Sequence, residues 1–307
     1  MILDFDVTIL GSNSAAPAHD RNQTSQVVNL GRNSIMIDCG EGAQIQMRRF
    51  HLKSFKISHI FISHLHADHY LGLMGMLFTY HLHKRKSPLT IFGPRGLDEI
   101  ITVQLKHTQT ALSYPVNFVC TQHEKWDLVL DLDGFEVFSF PLKHRLPCTG
   151  FYIKEKQRPN NLIKEKLQEH DLNLSQINTL KSGKHVLDES GDVLFSLEEF
   201  TYPPPNRRTY AYCSDTVYDP ELVEIVKGVD LLYHEATFMN VEEKRATETL
   251  HSTAAQAATI AKQAQVKKLL LGHYSTRYHD LNPLLNEAKG IFDESYLSIE
   301  GETYPIH

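Results

Sequence analysis

Apolar runs along this chain are short, and many of them stop on side chains that bind metals. Phe5-Asp6-Val7-Thr8-Ile9-Leu10 reads as a strand closed by Gly11, and the polar stretch "SNSAAPAHDRNQTS" follows it as a loop. Residues 26–30 and 34–38 flank a Gly-Arg-Asn turn and read as a β-hairpin. "CGEGAQIQMRRF" is a turn entering a short helix, and residues 57–62 form another short apolar strand. "LGLMGMLFTYHLHKRK" has helical spacing and a basic end that suits a helix C-terminus. "STAAQAATIAKQAQ" is an Ala-rich helix with Ser252 as its N-cap.

Strand-like runs at 57–62, 135–141, 209–213, 229–233 and 268–271 lead directly into "SHLHADH", "LKHR", "SDT", "HEAT" and "GH". A sheet fixes where its strands end while the loop beyond supplies reach, so such residues can meet at one rim. This pattern predicts two sheets sharing an edge. The stretch 154–208 breaks the rhythm. It is polar and lysine-rich, and it reads as an inserted arm on a single domain spanning 1–307, with little core of its own.

The densest cluster is "SHLHADHYLG", where His64, His66, Asp68 and His69 occupy six residues. Imidazole and carboxylate suit zinc, manganese or iron. In an extended segment His64 and His66 face one side, and Asp68 and His69 follow a turn and can face a second position. One short loop can thus feed two ions, which lie about 3.5–4 Å apart in two-metal sites. A solvated histidine cluster is the bland alternative.

Composition narrows the setting. The 307 residues are 41% hydrophobic and 22% charged, in keeping with a soluble globular chain, and no run approaches a membrane span. The acidic start "MILDFD" lacks the basic region of a leader peptide. Four cysteines without a Cys-x-x-Cys pair fit the cytoplasm. The net charge of −6 argues mildly against a nucleic-acid partner, but two bound divalent ions would reverse that locally.

"SHLHADH" resembles the signature of the metallo-β-lactamase superfamily. "DCGEGAQIQMRR", "SHLHADHYLGLMG", "PLKHR", "SDT", "HEATF", "LHSTAAQAA" and "LLLGHYS", in this order, are similar to the ribonuclease Z family. The resemblance implies an α/β fold, the four-layer αβ/βα sandwich of metallo-β-lactamases, with a flexible arm inserted at 154–208 that grips tRNA. It implies a zinc-dependent endoribonuclease that cuts the 3′ trailer from precursor tRNA, with two Zn2+ per subunit (Mn2+ being possible), acting as a homodimer. His64, His66 and His144 would bind one ion, Asp68, His69 and His273 the other, and Asp215 both. Asp68 would be the general base, and Glu235 would orient His251 as the acid for the leaving O3′. Pro17, Arg21 and Asn22 match a Pro-x-Lys-x-Arg-Asn loop that meets the RNA 3′ end, although His19 stands where lysine is usual. In the arm, Leu180, Lys181 and Gly183 match a Leu-Lys-x-Gly motif, with Leu174-Ser175 where Gly-Pro is common, and Lys181 would touch RNA. The competing readings are a two-metal hydrolase of small phosphodiesters or aryl sulfate esters, and a tRNA-binding protein with a structural metal.

Overall fold

The apolar runs become two mixed sheets. The computed structural model describes residues 4–307; the first three residues, on which part of the leader-peptide expectation rests, lie outside the described residues. In chain order the strands are β1 (Phe5–Gly11), β2 (Ser25–Leu30), β3 (Asn33–Cys39), β4 (Ile57–Phe61), β5 (Leu89–Gly93), β6 (Val116–Cys120), β7 (Asp127–Leu132), β8 (Phe135–Leu142) and β9 (Cys148–Glu155). Four short strands follow: β10 (Asn161–Leu162), β11 (Val186–Leu187), β12 (Val193–Phe195) and β13 (Thr201–Tyr202). The last are β14 (Thr209–Cys213), β15 (Leu231–Glu235), β16 (Leu269–Gly272), β17 (Ser295–Leu297) and β18 (Thr303–Pro305).

The first sheet runs β18-β1-β2-β3-β4-β5-β6 and the second β17-β16-β15-β14-β9-β8-β7. Strands β3 to β6 are parallel, as are β14 to β17, so their C-terminal ends gather at common edges. The expected hairpin is β2–β3, with Val28 opposite Ile35 and Leu30 opposite Asn33.

One face of each sheet carries helices. Met36, Ile60 and Ile91 of the first sheet pack with Met47, Leu77 and Ile101 from the helices Ala43–Arg49, Gly72–Leu82 and Leu97–His107. Ala211, Leu232 and Leu271 of the second sheet pack with Ala257 and Ala261 of the helix Ala254–Gln263. The opposite faces meet each other. Phe61 lies 5.1 Å, edge to face, from Phe151, and the Tyr212 hydroxyl donates to Asp38 Oδ2 at 2.6 Å. The layers are therefore helix, sheet, sheet, helix, the four-layer α/β sandwich that the motifs imply.

Some local expectations need correction. The Ala-rich helix is capped by Thr253, not Ser252: Thr253 Oγ1 accepts from Gln256 N–H at 3.2 Å and Gln256 Oε1 accepts from Thr253 N–H at 3.0 Å. The Ser252 hydroxyl is committed elsewhere, donating to the Thr216 carbonyl at 2.8 Å. His234 and Glu235 lie inside β15 and do not follow it. Strands β6 and β7 end their sheets half exposed, so they lack the apolar alternation that marks a strand.

Residues 132–136 and 155–207 form a separate compact unit. It holds the helices Lys164–Glu169, Leu174–Lys181 and Leu197–Phe200 and the pairs β10–β13 and β11–β12. Its core is small, with Leu180, Val186 and Phe200 buried and Leu162, Leu172, Phe195 and Leu197 packed against them. Residues 132–136 belong to it, a piece the polarity of 154–208 does not mark. Among the described residues no helix is long and apolar enough to cross a membrane.

Candidate active site

The strand ends deliver their side chains to one rim. Residues 63–66 run on from β4, and His66 begins the short helix Ala67–Tyr70, which holds Asp68 and His69. His144 follows β8, Asp215 follows β14 and His273 follows β16, the last with a left-handed backbone at φ 58°.

Two groups of nitrogen and oxygen atoms result. Nε2 of His64 lies 2.9 Å from Nδ1 of His66, and Nε2 of His144 lies 3.1 Å from that same atom. Nε2 of His69 lies 3.3 Å from Nε2 of His273, which is also 3.3 Å from Asp68 Oδ2. Asp215 faces both. Its Oδ2 is 3.5 Å from His64 and 3.7 Å from His144, while its Oδ1 is 3.4 Å from His69 and 3.2 Å from His273. That Oδ1 is buried without a hydrogen bond among the described residues. Ring nitrogens aimed at one another, with a carboxylate oxygen left over, form a donor set that a cation satisfies. His64, His66, His144 and Asp215 make one such group, and Asp68, His69 and His273 a second.

Partners behind the rings settle which nitrogen carries the proton. His144 Nδ1 bonds the Leu250 carbonyl at 2.9 Å, so it holds the hydrogen and its Nε2 keeps the lone pair. The Thr237 hydroxyl donates to Glu235 Oε2 at 2.7 Å and so accepts from His273 Nδ1 at 2.9 Å. His69 Nδ1 lies 2.7 Å from Asp38 Oδ2. In each case the remaining Nε2 points into the site. Asp38 is fully buried at φ 52° and also accepts from Ser63 N–H at 2.7 Å. The sequence quotes Asp38 in "DCGEG" but gives it no task; only its contact with His69, 31 residues away, reveals one. Thr237 was missed for the same reason.

Charge at these side chains follows from this packing. Burial pushes the Asp68 carboxyl up, but His69 and His273 outweigh it and hold the group below the ordinary carboxylate range. Burial pulls His69 down, yet Asp215, Asp68 and Asp38 raise it well above an ordinary histidine. A cation entering this group displaces that proton. His251 Nδ1 lies 2.9 Å from Glu235 Oε1. Burial pulls His251 down, and the Glu235 carboxylate more than reverses this, pushing it up to about 9.

The other expected residues lie apart. Pro17 is exposed on its loop. Arg21 donates to Asn13 Oδ1 at 3.1 Å, to the His279 carbonyl at 3.3 Å and to the Tyr278 carbonyl, and Asn22 Nδ2 donates to Glu300 Oε2 at 2.9 Å. Both therefore brace the loop from within. The loop reaches the site through Ala15, whose N–H donates to Asp68 Oδ2 at 2.7 Å, a residue the sequence did not single out. Lys181 is exposed at the end of its helix in the second unit.

Known proteins resemble this chain in sequence and fold. A family model described as anti-Pycsar protein Apyc1 matches residues 5–157, and one described as a β-lactamase superfamily domain matches 199–274. Among solved structures, human tRNase Z, short form, is 28% identical with a TM-score of 0.70, covering 98% of this chain and 99% of that one. The metallo-β-lactamase fold protein YhfI from Bacillus subtilis, 18% identical with a TM-score of 0.69 over 98% of this chain and 99% of that one, shares the fold. Ribonuclease Z of Bacteroides thetaiotaomicron is 46% identical over 99% of this chain and 96% of that protein. Ribonuclease Z of Cytophaga hutchinsonii is 47% identical over 99% and 97%. Likeness of this degree, end to end and on the same sandwich, means that the chain belongs to the ribonuclease Z family.

Proposed function

We propose that this chain is a zinc-dependent endoribonuclease that removes the 3′ trailer of precursor tRNA, leaving a 3′-hydroxyl on the tRNA and a 5′-phosphate on the trailer. The observation that carries the reading is Asp215, whose two oxygens face two separate ligand groups beside the His251–Glu235 pair. The names of the ribonuclease Z relatives and of human tRNase Z support the substrate. His64, His66 and His144 would hold one ion, Asp68, His69 and His273 the other, and Asp215 both. Two Zn2+ (or Mn2+) bound by these residues would supply positive charge to the non-bridging phosphate oxygens and acidify the attacking water.

The chain's own groups do the rest. Asp68 orients the water and takes its proton as oxygen attacks phosphorus in line. The P–O3′ bond breaks, and O3′ takes a proton from His251, whose ring Glu235 holds through Nδ1. Asp68 and His251 thus act as base and acid, with Glu235 as the residue that orients the acid. Pro17, Arg21 and Asn22 shape the loop that meets the RNA 3′ end. Exposed Lys164, Lys181 and Lys184 equip the second unit to contact tRNA phosphates. Ile45, Phe55 and Leu82 are exposed around a concavity of about 670 Å3, a surface suited to a homodimer contact. The compartment is the cytoplasm.

The test is cleavage of a labelled precursor tRNA bearing a 3′ trailer, with and without chelator, beside Asp68→Ala. A single cut at the trailer boundary, lost in chelator and in the variant, is expected. Turnover of a small chromogenic phosphodiester with the precursor left whole would remove tRNA as substrate.

A further inference from the structure

Ala15 is exposed on the Pro17 loop, yet its backbone is held on both sides. Its N–H donates to Asp68 Oδ2 at 2.7 Å. Its carbonyl accepts from Gln23 Nε2 at 2.8 Å. Gln23 Oε1 in turn accepts from the Glu41 N–H at 2.9 Å, in the turn between β3 and the helix Ala43–Arg49. Gln23 is buried. Ala15 sits in the left-handed region at φ 58°, where a residue with a side chain stays only when its surroundings hold it. The neighbouring Ser14 N–H donates at 2.9 Å to the carbonyl of Tyr274, the residue after His273.

We infer that Gln23 is a positioning residue for Asp68, acting through Ala15. The inference rests on the endoribonuclease reading above, in which Asp68 is the base. Both partners of Gln23 are backbone groups, one a donor and the other an acceptor. A single side chain serves both only if it carries an oxygen and an N–H, as an amide does. The two bonds set the amide's orientation, oxygen toward Glu41 and NH2 toward Ala15. With the Ala15 carbonyl held, the left-handed turn aims its N–H at Asp68 Oδ2, the oxygen that also lies 3.3 Å from His273 Nε2. Gly40 allows the close approach this needs. A Cβ there would lie 2.6 Å from both the Asp68 carbonyl oxygen and Gln23 Cβ, so Gln23 and the Asp68 backbone pack against the same glycine. Arg21 and Asn22 brace the loop on Tyr278, His279 and Glu300, whereas Gln23 reaches the residue that touches Asp68.

The experiment is zinc titration of chelator-treated protein against a competing indicator, with kcat and KM for precursor tRNA measured beside it. Gln23→Met keeps the length of the side chain and removes both hydrogen bonds. It should weaken one zinc site about tenfold, the lower end for residues that support a metal ligand from behind, and lower kcat by a similar factor with KM within about twofold. Gln23→Asn, too short to span both partners, should act the same way and decides the matter if the first variant fails to fold. Zinc affinity unchanged in the folded variant overturns the inference, because a side chain that only packs the loop would lower the urea midpoint and leave both zinc sites alone. A rise in KM with kcat unchanged also overturns it and places Gln23 with the groups that shape the loop for RNA. Failure of the unaltered protein to cut precursor tRNA with zinc present overturns the endoribonuclease reading instead, and the zinc titration still decides whether Gln23 positions Asp68.

Discussion

Asp38→Asn changes one atom and should cost metal affinity. Asp38 Oδ2 accepts from His69 Nδ1 at 2.7 Å, Ser63 Oγ at 2.9 Å and the Tyr212 hydroxyl at 2.6 Å, while Oδ1 accepts from Ser63 N–H at 2.7 Å. An amide oxygen must remain opposite the Ser63 N–H, because that donor cannot turn. The new NH2 then faces three donors. The two hydroxyls can rotate to accept, but His69 can accept only by moving its proton to Nε2, the nitrogen that points into the site. The loss is one charge-assisted hydrogen bond, about 1.5–3 kcal/mol. That corresponds to roughly 10–150-fold in affinity, in line with the 10–100-fold usual for such supporting residues. The assay is zinc titration of chelator-treated protein against a competing indicator. The expected result is one weakened site, with activity recovered at raised zinc. Two sites of unchanged affinity in a folded Asp38→Asn protein would refute the reasoning, because His69 would then not need this carboxylate.

Three more outcomes are expected. Gly272→Ala would put a Cβ 2.1 Å from the Tyr233 hydroxyl oxygen and 2.3 Å from its Cζ, so stability should fall by about 1–3 kcal/mol in urea melts, and an unshifted midpoint would show that Tyr233 moves freely. Zinc added to metal-free protein at pH 7 in weak buffer should release about one proton, because a group held above its ordinary value is still protonated there, and His69→Ala should abolish that release. Arg21→Ala frees a loop pinned at Asn13, Tyr278 and His279, so for precursor tRNA it should raise KM more than it lowers kcat; a pure kcat loss would place Arg21 in the chemistry instead.

The strand-end residues were legible because their signal is local. A hydrophobic run followed by His64, His144, Asp215 or His273 can be read along the chain, and the parallel strands then bring those ends together. Asp38 and Thr237 act through partners 31 and 36 residues away, and no local pattern encodes such a meeting. Strands β6 and β7 were missed because a sheet's last strand has one partner and much exposed surface, so either face can be polar. The Ser252 cap was misjudged for a tertiary reason, its hydroxyl being taken by Thr216. Arg21 and Asn22 look like surface groups in sequence, yet both are spent on the protein's own carbonyls and on Glu300.

The hydrogen bond from Ala15 N–H to Asp68 Oδ2 ties the Pro17 loop to a carboxylate of the second ligand group. It makes the loop and that group linked equilibria. Whatever occupies the loop and shifts Ala15 alters how firmly Asp68 is held, and so would change the affinity of that group for a cation. Reciprocity requires that the ion alter affinity at the loop by the same factor. On the function proposed above, metal supply and RNA end structure would be two effectors of one another, joined by a single backbone amide.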